Sequence, residues 1–200
     1  FADPRALAEA CRGGAALYFI APNMHQDEAV LAAAVVAAAQ RADVKRMVYH
    51  SVLHPQTEEM PHHWAKLRVE EMLFRSGMLF TILQPAAYMQ NALPQLRSAR
   101  EAGVYRMPYA TTTRLGMVDL EDVAAVAAKV LTQDAHVGAI YELAGTEVLT
   151  QDQVAELMGS VLERTVCAEV EDRVHWAEQA RRAGLGEYAV STLLKMFEYY

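Results

Sequence analysis

The run Arg46-Met47-Val48-Tyr49-His50-Ser51-Val52, the helical pattern from Pro61 to Ser76 and the run Phe80-Thr81-Ile82-Leu83-Gln84-Pro85 decide the fold. The two runs are short, apolar and rich in β-branched and aromatic residues. Between them Ala65, Val69, Met72 and Leu73 recur at helical spacing. A strand–helix–strand unit of this length closes as a right-handed crossover with its strands parallel. Upstream, Asp3 as N-cap and Pro4 at the first helical position predict a helix over 4–12, stopped at Gly13–Gly14. A strand over Ala16 to Ala21 follows, then Pro22, the N-cap Asp27 and a helix over 28–42. Downstream the expected elements are a helix near Tyr88 to Arg100, a turn region Gly103–Pro108, a strand Leu115 to Val118, a helix Asp122 to Leu131 and a strand Ala139 to Leu143. A helix Gln151 to Leu162, a strand Val166 to Val170 and helices near 173–183 and 188–198 complete the chain. The alternation implies the α/β class: a doubly wound parallel sheet with helices on both faces and a small C-terminal α+β lobe. By domain, residues 1–110 read as the main run of sheet elements, and residues 111–200 as a mixed segment of returning sheet elements and the small lobe.

Composition bounds the partners. With 53% hydrophobic residues in 200, the chain can bury a sizeable core. A formal charge of −7 without any Lys/Arg run argues against nucleic acid or anionic membrane as partner, leaving small molecules or proteins, with a homo-oligomer possible. Cys11 and Cys167 stand alone, which fits a reducing, cytoplasmic setting. The longest apolar stretch, Ala29 to Ala39, falls short of the roughly 20 residues of a membrane span. The chain opens at Phe1 on a helix-start signal and without Met, so upstream sequence is expected.

In an open parallel sheet, ligands bind beyond the carboxyl ends of the strands. Three such ends run into polar or turn-forming residues: Ala21-Pro22-Asn23, His50-Ser51-Val52 and Gln84-Pro85-Ala86. The helix after Ser51 begins Pro61-His62-His63-Trp64-Ala65-Lys66, and i,i+4 spacing puts His62, Lys66 and Glu70 on one face. That face is either a solvated surface or the polar front of a site.

These residues resemble a known family. The block around Ser51, the segment Met60 to Lys66 with Val69-Glu70, the run Thr81-Ile82-Leu83-Gln84-Pro85 and Asn91 resemble the central part of the NmrA-like, atypical short-chain dehydrogenases. Gly103 to Tyr109, Val118 to Ala124 and Gly138 to Leu143 extend the likeness to roughly Asp3–Val166. The resemblance implies a Rossmann-like domain binding NADP or NAD, and a catalytic group of Ser51, His62 and Lys66. His62 stands where the parent family has tyrosine, while Lys66 matches the lysine that binds the nicotinamide ribose. Ala21, Pro22, Asn23, His50, Ser51, Lys66, Pro85 and Ala86 are the implied cofactor contacts. Tyr88, Asn91 and Tyr109 are candidates for a substrate cleft, with ordinary packing as the alternative for each.

A dinucleotide site needs a glycine-rich turn between a strand and a helix. By the resemblance that turn precedes Phe1, and a chain truly starting there is expected to bind dinucleotide poorly, with an exposed strand edge. The one match to the glycine spacing, Gly184-Leu185-Gly186-Glu187-Tyr188-Ala189, follows a charged helical stretch and no strand, so it is set aside. No metal is expected, because His50, His54, His62 and His63 lack neighbouring Cys or Asp. Asp122 is read as a helix cap and Asp119 as a loop anchor. Two functions remain open: an NAD(P)H-dependent reductase of a small carbonyl or quinone-like substrate, and a non-catalytic redox sensor that regulates a protein partner.

Overall fold

The computed structural model describes residues 3–200. In chain order the elements are α1 (Pro4–Cys11), β1 (Ala16–Phe19), α2 (Glu28–Arg41), β2 (Arg46–His50), α3 (Pro61–Arg75), β3 (Leu79–Pro85) and β4 (Ala87–Tyr88). A 3-10 turn (Met89–Gln95) leads to α4 (Leu96–Ala102), β5 (Val104–Met107), β6 (Arg114–Val118), α5 (Leu120–Thr132) and β7 (Ile140–Leu143). Then come β8 (Val148–Thr150), α6 (Gln151–Leu162), β9 (Cys167–Val170), α7 (Arg173–Arg182) and α8 (Glu187–Tyr199). Two compact units form, one from the residues up to Pro85 with Glu121–Leu143, the other from Ala86–Leu120 with Ala144–Tyr200.

The first unit is a four-stranded sheet in the order β1-β2-β3-β7, every pair parallel. Successive side chains of a strand point to opposite faces, and the alternation is clean here. Phe19, Met47, Tyr49 and Ile82 pack under α2 and α3 with Ala32, Val35, Val36, Val69 and Leu73. Val48 and Leu83 face the other way, against Ala127 and Val130 of α5. The sheet is therefore covered on both faces, which is the Rossmann-like arrangement. Among the described residues β1 is bonded only to β2.

The second unit joins three short strands, β4-β6-β8, and a separate parallel pair, β5 with β9. Its core is Ala99, Tyr105, Met107, Val154, Ala155 and Val166, with α7 and α8 meeting through Ala177, Ala180 and Val190. Here local sequence misleads. Gly103–Pro108 is not a turn region, because β9 supplies backbone partners from Val104↔Cys167 to Met107↔Val170. Gly103 ends α4 at φ 69°, and a Cβ there would meet Thr165 O at 2.8 Å, so the close approach of β9 requires glycine. The helix expected over Tyr88 to Arg100 divides into the 3-10 turn and α4, since Pro94 cannot donate to a regular ladder. β8 was not expected. Asp122 does not cap α5, which already begins at Leu120; the preceding Asp119 instead accepts from Gln90 Nε2 at 2.9 Å.

Candidate functional site

At the carboxyl end of β2 the core changes character. Tyr49 is fully buried, its ring stacked on Phe19 at 5.9 Å and its hydroxyl donating to Glu28 Oε1 at 2.6 Å. Glu28 opens α2 and has no exposed surface at all. From α3, Lys66 reaches the same carboxylate oxygen at 2.9 Å and the His50 carbonyl at 3.4 Å, with its ammonium 5.6 Å from the Tyr49 ring centre. One helical turn on, Glu70 accepts from the Ser51 hydroxyl and takes two bonds from Gln84 Nε2, at 2.9 and 3.1 Å. Thus α2, β2, α3 and β3 each contribute to one polar layer sealed between sheet and helices.

The expected face is corrected here. Lys66 and Glu70 do not form a solvated surface: they are 6% and 3% exposed, and with His63, Val69 and Leu73 they make the buried stripe of α3. Spacing identified which residues share a face, but not which way that face turns. Sequence reasoning missed Glu28 and Tyr49. Neither residue carries a local motif; the available signal was that Lys66 and Glu70 recur at helical spacing on one face of α3 and, once buried, need partners in the core.

Electrostatics separate the ionisable groups. Burial, then the Glu28 charge, push the Tyr49 phenol far up, so it stays a donor. Burial outweighs the Ser51 and Gln84 hydrogen bonds and the Lys66 charge at Glu70, whose carboxyl is held above its usual range. His50 is pushed down to about 4 and His62 to about 3, by burial first and by the Lys66 charge second. His63 is lowered too, chiefly by burial. All three imidazoles are neutral at pH 7. His50 Nδ1 lies 2.5 Å from the Tyr18 hydroxyl, on the α5 side of the sheet.

Of the other residues implied by the resemblance, Ala21 is buried while Pro22 and Asn23 lie exposed in the loop between β1 and α2. Pro85 accepts from the Leu53 amide at 2.9 Å, tying the loop after β2 to the end of β3. Ala86, Tyr88, Asn91 and Tyr109 belong to the second unit. Ala86 is buried there, Tyr88 is half-buried in β4 and Asn91 is exposed in the 3-10 turn. Tyr109 packs on Phe197 and Tyr200, at 5.8 and 5.3 Å, as part of an aromatic cluster.

The NmrA-like family model matches residues 1–200. The chain belongs to the NmrA-like family. It is 32% identical over 155 residues to Quinone oxidoreductase 2 of Escherichia coli (strain K12), covering 78% of this chain and 54% of that protein. With the NAD(P)H azoreductase of Xenophilus azovorans the identity is 30% over 166 residues, covering 82% and 57%. The chain thus spans about half the length of these curated relatives. The crystal structure of an Escherichia coli NADPH-dependent quinone oxidoreductase in complex with NADPH superposes with a TM-score of 0.83 at 28% identity, over 97% of this chain and 68% of that one. Both curated relatives are named as reductases, and a redox-sensor role finds no support in them. Among the described residues no helix is long and apolar enough to cross a membrane, and no three His, Cys, Asp or Glu side chains cluster to hold a metal.

Proposed function

We propose that this chain is part of an NAD(P)H-dependent reductase acting on a small quinone-like or carbonyl substrate, with Lys66 holding the nicotinamide ribose. The observation that carries the reading is Lys66 itself, an ammonium fixed at the carboxyl end of β2. A lysine has three N–H donors. Glu28 and the His50 carbonyl take two, which leaves one for a ribose hydroxyl. The donor set therefore fits the nicotinamide half of the cofactor. NADPH or NADH supplies hydride when bound.

The chain's own residues orient and exclude water. Ser51 is 2% exposed with its proton engaged by Glu70, so it braces the ends of β2 and β3 through Glu70 and Gln84. His62 is neutral at physiological pH. Neutral, it does not act as a cationic acid.

Titration of NADPH and NADH into the full-length protein, followed by turnover against a panel of quinones and carbonyls, tests the reading. Lys66→Ala should weaken cofactor binding about ten-fold or more, the loss of a charged hydrogen bond of about 1.5–3 kcal/mol. An unchanged dissociation constant for Lys66→Ala, or tight binding with no oxidation across the panel, refutes it.

A further inference from the structure

The Glu28–Lys66 pair is a poor way to stabilise a core. Both side chains are buried, at 0% and 8% exposure, and Oε2 of Glu28 is buried without a hydrogen-bond partner. Desolvating two charges and leaving one carboxylate oxygen unsatisfied costs more than an apolar pair of the same volume. What an apolar pair cannot do is hold an ammonium at one point. A lysine on its flexible four-carbon stem has no preferred site for Nζ. Here the site is fixed by Glu28 Oε1 from α2 and the His50 carbonyl from β2, with the Tyr49 hydroxyl in turn donating to that same Oε1.

We propose that Glu28 is the positioning residue for Lys66: its carboxylate, oriented by Tyr49, sets the ammonium at the end of β2. The proposal rests on the reading of Lys66 as the ribose contact. The groups around Lys66 are Glu28 from α2, Tyr49 and His50 from β2, and His62, His63 and Glu70 from α3. The three histidines are neutral at pH 7 and do not compete for the carboxylate. Glu70 is already engaged by Ser51 and Gln84. Glu28 is therefore the counter-charge that faces the Lys66 ammonium and fixes its place.

The test uses the full-length protein with 13C-labelled lysine. Of the four lysines in these 200 residues Lys45, Lys129 and Lys195 are exposed, and the Lys66 Cε signal is assigned by its loss in Lys66→Ala. In Glu28→Gln the Lys66 Cε signal should move toward the position of the exposed lysines, as the ammonium loses its fixed place. NADPH affinity should drop about ten-fold with it. Glu28→Asp should restore part of both. Should Glu28→Gln not fold, Tyr49→Phe frees the carboxylate from its donor and should weaken NADPH binding a few-fold. A Lys66 Cε signal unmoved in Glu28→Gln, or full NADPH affinity in Tyr49→Phe, overturns the positioning role while leaving the ribose reading intact. Full NADPH affinity in Lys66→Ala overturns the ribose reading, and the positioning role with it.

Discussion

Two ends of one packed layer differ more than their burial suggests. Under α2 and α3, the amino end of the sheet is Met47, Leu73, Val35, Val44 and Met78; the carboxyl end, equally dry, is Glu28, the Tyr49 hydroxyl, Ser51, Lys66, Glu70 and Gln84. The first end stabilises through apolar contact, which tolerates losses in proportion to the volume removed. At the second end each group depends on a specific partner, so removing one strands another. The same depth thus carries two kinds of energetics, and substitutions should separate them.

The largest effect should follow from breaking the ion pair. Lys66→Ala leaves Glu28 charged and buried, at a cost of about 3–5 kcal/mol in urea unfolding. Leu73→Ala at the apolar end should cost about 2–5 kcal/mol, through lost contacts and a cavity. The comparison is sharpened by the double replacement Glu28→Leu with Lys66→Met, which should recover part of the single loss because no charge remains to desolvate and only the Tyr49 hydroxyl is left unpaired. If the double variant were as unstable as Lys66→Ala alone, the two ends of the layer would be energetically alike and the contrast would fail.

Acid should act on the carboxyl end next. His50 titrates near 4 when folded, against the ordinary value of 6.5, so the unfolded chain binds a proton that the native state refuses. Its contribution is complete above the unfolded value and is lost as pH falls toward the folded one, on the order of 3 kcal/mol for this 5%-exposed side chain. His62 and His63 act in the same direction. Glu70 opposes them, because its raised carboxyl binds a proton more readily in the native state. Urea midpoints should fall from neutral pH to about pH 5, and His50→Gln should flatten that slope. A midpoint independent of pH over this window would mean the imidazoles are charged in the native state.

Much of this was legible in sequence. Strand–helix alternation and the apolar runs at Arg46–Val52 and Phe80–Pro85 specify a parallel sheet, because a buried parallel strand carries its pattern in its own residues. Lys66 and Ser51 were legible through the spacing of the family block. β5 was not, since Val104–Met107 pairs with residues about sixty positions away and the flanking Gly103 and Pro108 speak only of turns. Glu28 was hidden for a related reason: its partners Tyr49 and Lys66 lie 21 and 38 residues off, and local sequence does not encode such distances. The orientation of α3 followed from the same unseen contacts.

The smallest effect should come from Ser51, whose hydroxyl lies at the rim of the polar end. Ser51 donates to Glu70, but Gln84 Nε2 already bonds both carboxylate oxygens, at 2.9 and 3.1 Å, so Ser51→Ala leaves the acid partly satisfied. The expected cost at neutral pH is about 1 kcal/mol, below the range for a fully unpaired charge. Its pH dependence identifies the acceptor. The Ser51 hydrogen bond is one of the forces that lower the Glu70 carboxyl, so its loss should lift that carboxyl further above its unfolded value. The native state of Ser51→Ala then takes up a proton earlier as pH falls, and acidification stabilises it relative to the parent. The difference between the two proteins in urea unfolding should therefore shrink from neutral pH toward about pH 5. A difference that stays constant or grows on acidification would show that Ser51 does not serve a charged Glu70, and would detach it from the polar layer.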